Sequence, residues 1–225
     1  MCCKVPSTDR LISHPKARVL AELTCGSVLN EANVFDARIQ QGIESSRGEF
    51  SWMVALVYKI SPQPLCAGAL IHPQYVLTAA HCERLGAHNL LQCDDSASTN
   101  CSAQAQAISI EKHILHSAHD IALLKLQHPA EFDPGIVEPI CLPITKQLLM
   151  HLPSNRTIAG WGGTEHRSET IPRPLLKANV QVVRDSDCQQ DFEVCAGGLE
   201  ASNSCRGDSD GPYQAQVMYN GTIRK

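Results

Sequence analysis

The feature that most constrains the fold is how the apolar residues are grouped. They fall in many short runs broken by Gly, Pro and Asn, a pattern that argues for an all-β chain. Phe50 to Tyr58 reads as a buried strand, Ser61 to Pro64 as a Pro-rich turn, and Cys66 to Ile71 as a second strand. Ile108 to Leu115 and the run after Asp120 read as two more. At 225 residues, with 43% of them hydrophobic, the chain suits one large globular domain or two small ones. It carries no internal repeat and no stretch apolar enough to span a bilayer. The formal net charge of -4 gives no footprint for nucleic acid or a membrane surface. Eleven cysteines point to an oxidising compartment, so an extracellular location is expected. The opening M-C-C-K-V-P lacks the apolar core of a signal peptide, and with the odd cysteine count this leads us to expect a fragment.

Three strings carry chemistry. The stretch C-R-G-D-S-D-G-P, Cys205 to Pro212, places Ser209 between Gly207 and Gly211. A serine hydroxyl becomes a nucleophile when a base takes its proton and backbone N–H groups await the oxyanion. Small flanking residues let the chain turn tightly enough for the Gly207 and Ser209 amides to face a reacting carbonyl. Upstream, T-A-A-H-C (Thr78 to Cys82) offers His81 as the base. D-I-A-L-L-K-L (Asp120 to Leu126) offers Asp120 to orient the imidazole. The order His, Asp, Ser separates this arrangement from the subtilisin and α/β-hydrolase orders.

With these strings in that order, the chain resembles a trypsin-like (chymotrypsin-fold) serine protease from about Arg38 to about Pro212. The resemblance implies two packed antiparallel six-stranded β-barrels with the active site in the cleft between them. It divides the chain into a propeptide or linker at 1–38 and a protease domain at 39–225. The first barrel covers about 39–140 and the second, incomplete, starts at about 141. D-A-R-I-Q-Q-G (Asp36 to Gly42) resembles an activation site cut after Arg38. The freed amine of Ile39 would then pair with Asp208 and order the oxyanion hole and the primary pocket. Gln41 stands where the family has Gly. The resemblance pairs Cys25 with Cys141, Cys66 with Cys82, Cys93 with Cys101 and Cys188 with Cys195. The Cys66–Cys82 bridge would brace the His81 loop, and Cys25–Cys141 would tether the propeptide. Adjacent Cys2 and Cys3 resemble the closing pair of an arthropod clip domain, with two free thiols in a tail as the alternative. Implied partners are protein substrates, an upstream activating protease and serpin-type inhibitors. The chemistry requires no cofactor and no metal. A calcium role for Asp94 and Asp95 is outweighed by a solvated acidic loop.

The chain departs from the family pattern at several points. Asp210 follows the serine where the family has Gly, and its carboxylate would sit near developing negative charge. Asn203 stands six residues before Ser209, where trypsin-like enzymes carry the Asp that binds Arg or Lys. A bound cation there would keep its charge unpaired, so the expected preference for basic residues is weakened. The H-S-A-H connection (His116 to His119) is short for the family and implies a more open groove. Ending at Lys225 omits the family's substrate-pairing strand and C-terminal helix and leaves Cys205 without its partner, so an unstable protein is expected. Asn155 and Asn220, with Asn100, fit the N-glycosylation pattern. Trp161 in A-G-W-G-G-T reads as core and turn. Two further readings stay open: a catalytically impaired homologue acting as a binding cofactor, and a truncated product without function.

Overall fold

The computed structural model describes residues 16–27, 43–46, 48–58, 61–84, 89–91, 106–145, 148, 152–161, 175–182, 196–197, 211–219 and 222–225. Alternating burial builds the first half. In β4 (Tyr75–Thr78), Val76 and Thr78 point inward. In β7 (Ala122–Leu126), Ala122, Leu124 and Leu126 do the same, as the two-residue period of a strand requires. These strands close a six-stranded antiparallel barrel with β2 (Met53–Tyr58), β3 (Ser61–His72), β5 (Asn89–Leu91) and β6 (Ala107–Leu115). The order around the barrel is β2-β3-β4-β7-β6-β5, with β5 returning to β2. Its buried strand residues include Leu56, Leu70, Val76, Leu124 and Leu126, all at most 1% exposed.

Two strand expectations need correction. Phe50 to Trp52 form a turn, and β2 begins at Met53. Ser61 to Pro64 are not a turn but the start of β3. Proline has no N–H for a ladder and is accommodated at irregular pairings. The β2–β3 register does shift between Leu56 and Val57 and again between Val57 and Tyr58, opposite Pro64 and Ser61.

The second half is an open antiparallel sheet among the described residues. Its spine is β9 (Leu176–Val182), flanked by β8 (Asn155–Gly160) on one side. On its other side lie β1 (Ile43–Glu44) and β10 (Ala196–Gly197). A hairpin of β11 (Val217–Tyr219) and β12 (Thr222–Arg224) follows. Trp161 is 5% exposed and belongs to the core, as its string suggested.

Several contacts among the described residues tie the halves together. Trp52 Nε1–H donates to Gln214 Oε1 at 2.6 Å in a buried site. Gln214 exchanges two backbone hydrogen bonds with Thr157 of β8, at 2.8 and 3.0 Å. Lys177 Nζ of β9 sits 2.6 Å from Glu49 Oε1. Beside them, Lys225 Nζ lies 4.6 Å from the Phe50 ring centre and 5.9 Å from that of Trp52. Burial pulls the Lys225 ammonium below its ordinary range, although the Glu49 carboxylate opposes that shift.

The segment ahead of the barrel is tethered rather than packed. Helix α1 (Ala17–Ala21) buries no residue. Beyond it, Cys25 is bonded to Cys141. Gly26 donates its N–H to Pro139 O at 2.8 Å and accepts from Lys225 N–H at 3.1 Å. Its φ is +60°, and a Cβ there would stand 2.1 Å from Lys225 O, so only glycine fits this crossing.

Candidate active site

Strand register brings His81 and Asp120 together. β4 and β7 run antiparallel with Thr78 opposite Ala122. The chain leaving β4 therefore emerges beside the chain entering β7. His81 lies three residues past Thr78, and Asp120 two residues before Ala122. Thr78 Oγ1 donates to Ala67 O at 2.8 Å and fixes the end of β4. Helix α2 (Ala80–Arg84) then begins, and its Cys82 is bonded to Cys66 on β3. Cys82 and Cys66 are buried, at 0% and 1% exposure, so α2 is pinned to the barrel wall at the residue beside His81.

Two bonds tie the pair. His81 N–H donates to Asp120 Oδ1 at 2.8 Å, and His81 Nδ1 lies 2.6 Å from Asp120 Oδ2. An ionised carboxylate only accepts, so His81 Nδ1 carries the proton and Nε2 is left as the basic nitrogen. Burial by itself would raise the Asp120 carboxyl. Hydrogen bonds from the His81 ring and backbone, the imidazole's charge and the Ala80 backbone outweigh it and hold the group below the usual carboxylate range. The two side chains keep 42% and 57% of their surface, so the pair opens to solvent. It borders a cavity of about 300 Å³ lined by His81 and the 116–120 loop. The ligand atoms of Cys66, His81 and Cys82 lie within 4.8 Å of one another, but the two sulfurs are bonded to each other and offer no thiolate to a metal.

Of the other sequence-predicted positions, Asn155 is exposed on the first residue of β8. Ser209, Gly207, Asp208, Asp210, Asn203, Arg38, Ile39 and Gln41 lie outside the described residues. So do Cys2, Cys3, Asp94, Asp95, Asn100, Asn220, Cys205 and the pairs Cys93/Cys101 and Cys188/Cys195. The chain is described again from Gly211, and Gln214, five residues past Ser209, is anchored to both halves. Sequence reasoning missed Gln214, because an isolated glutamine carries no pattern.

The family profile described as Trypsin matches residues 39–221. The chain belongs to the trypsin family. This trypsin-family chain is 35% identical to serine protease grass of Drosophila melanogaster in a match that covers 88% of this chain and 58% of that protein. It is 34% identical to CLIP domain-containing serine protease HP8 of Bombyx mori in a match that covers 91% of this chain and 63% of that one. In three dimensions it resembles the crystal structure of the Drosophila Grass clip serine protease of the Toll pathway, with a TM-score of 0.67 and 30% identity. That match covers 96% of this chain and 66% of the other. The chain thus spans about three-fifths of the length of the curated relatives it matches.

Proposed function

We propose that this chain is the protease portion of a secreted serine endopeptidase, made as a zymogen and acting on protein substrates in an extracellular proteolytic cascade. The observation that carries the reading is the 2.6 Å His81–Asp120 contact, held by a barrel register and a disulfide that leave Nε2 as the base. Ser209 attacks the peptide carbonyl while His81 Nε2 takes its proton, then returns it to the leaving amine. The Gly207 and Ser209 amides receive the oxyanion. Cleavage after Arg38 frees Ile39 to pair with Asp208, and the Cys25–Cys141 bond keeps the preceding segment attached. In this reading residues 1–38 are the propeptide and 39–225 the protease domain. Partners are an upstream activating protease and serpin-type inhibitors. Secretion is supported by the two disulfides, and a cascade role by the clip-protease relatives. On that view Asn155 and Asn220 are glycan acceptors, and Asn203 sets a primary pocket with weakened preference for basic residues.

One observation favours a second reading, a catalytically silent homologue serving as a binding cofactor: Asp210 stands directly after the serine. Fluorophosphonate labelling of the chain cleaved after Arg38 decides between them. The protease reading predicts labelling that Ser209→Ala abolishes. Labelling by Asp210→Gly alone would make Asp210 the silencing residue and favour the cofactor reading.

A further inference from the structure

We propose that His116 is a positioning residue whose neutral imidazole holds the turn that carries Asp120 to His81. Its activity arm rests on the protease reading above. His116 Nδ1 accepts the backbone N–H of Ala118 at 3.2 Å and that of His119 at 3.1 Å. Backbone N–H groups can only donate, so Nδ1 is unprotonated and the ring proton sits on Nε2. This tautomer is the opposite of the one Asp120 imposes on His81. The same turn is closed by His116 N–H to Ile121 O at 2.9 Å and by Ile121 N–H to His119 O at 2.8 Å. Asp120 lies inside this set of four bonds, between His119 and Ile121.

A second proton on His116 must go to Nδ1. The acceptor then becomes a donor facing two donors, and both bonds break. The titratable groups sharing the cavity are His81 from α2, and His119 and Asp120 from the same loop. The His119 ring centre is 4.8 Å from that of His116. Asparagine tests the acceptor in isolation. Its Oδ1 stands the same number of bonds from Cβ as Nδ1, accepts N–H groups in such turns, and does not take up a proton.

The experiment is a pH titration of the full chain, cleaved after Arg38, by two-dimensional NMR and by kcat/KM. In the wild type, the Ala118 and His119 amide resonances should move on acidification with the midpoint of the His116 ring protons. In His116→Asn those amides should stay fixed over that interval, with kcat/KM at neutral pH within about threefold of wild type. His116→Leu removes the acceptor and should lower kcat/KM about tenfold to a hundredfold at every pH, the size of loss that small misplacements cause. Amides that ignore the ring, or a His116→Leu protein with wild-type kcat/KM, would overturn the proposal. If His116→Leu fails to fold, the wild-type and Asn titrations decide. If the wild type is inactive, the protease reading fails while the amide titration still settles the turn.

Discussion

Replacing Asp120 by Asn tests how the candidate site is built. Asp120 spends its two oxygens differently: Oδ1 accepts the His81 backbone N–H at 2.8 Å and Oδ2 faces Nδ1 at 2.6 Å. The backbone N–H cannot change role, so an amide at position 120 must turn its oxygen toward it. Its NH₂ then faces Nδ1, which is forced to become an acceptor. The ring proton moves to Nε2, the nitrogen assigned to take the proton of Ser209. In the serine-protease template this tautomer error lowers turnover about 10⁴-fold, equivalent to about 5.4 kcal/mol of transition-state stabilisation. We expect a loss of that order in kcat/KM on a peptide amide substrate, measured after cleavage following Arg38. Because the backbone bond to position 120 survives, the thermal midpoint at neutral pH should fall only modestly, by the part of the interaction that depends on the carboxylate's charge. A variant within tenfold of wild-type kcat/KM would refute the argument that Asp120 sets the His81 tautomer.

Further outcomes follow from other contacts. Gln214→Leu leaves the buried Trp52 N–H without its acceptor and should cost about 1–3 kcal/mol in denaturant unfolding. Adding Trp52→Phe to that variant should recover part of the loss, and strict additivity would argue against the pair. Asp120 has a lowered folded pKa, so its contribution to stability is present above the ordinary carboxylate value of about 3.9 and lost as pH falls through the folded one. The difference in denaturation midpoint between wild type and Asp120→Asn should shrink as pH drops below about 4, and a constant difference would contradict this sign. Removing the Cys25–Cys141 bond, which spans a sequence separation of 116, should cost about 2–5 kcal/mol. After cleavage following Arg38 it should also release the preceding segment on a non-reducing gel.

The elements legible in the sequence were those fixed by local pattern. The run after Asp120 reads as a strand, although its alternating burial at Ala122, Leu124 and Leu126 emerges only in the fold, and the run Ile108 to Leu115 differs from β6 by one residue. The strings around His81 and Asp120 announced themselves because each couples an apolar run to one polar residue. Ser61 to Pro64 misled, since two prolines look like a turn until a partner strand with shifted register accommodates them. The Trp52–Gln214 bond joins residues 162 positions apart, and only the packing of two sheets creates it. His116 escaped notice for a different reason. Asn and Asp are the familiar side chains that cap their own turns, so a histidine in H-S-A-H read only as part of a short loop.

Among the described residues, three links that place His81 and Asp120 come from one closed barrel. The disulfide joins Cys66 to Cys82, the register joins Thr78 to Ala122, and the turn runs from His116 to Ile121. None of these three described links involves the second sheet. A cut after Arg38 therefore has little to change at this pair: the base and its orienting carboxylate are assembled wherever the first barrel folds. If activity is switched by that cut, we expect the control to act elsewhere, and Asp208 and Ser209 lie in the second half of the sequence. The uncleaved protein should accordingly show the same His81–Asp120 hydrogen bond, visible as a downfield ring N–H resonance, as the cleaved one. A resonance that appears only after cleavage would mean that the second half helps to build the pair, and the division of labour argued from the register would fail.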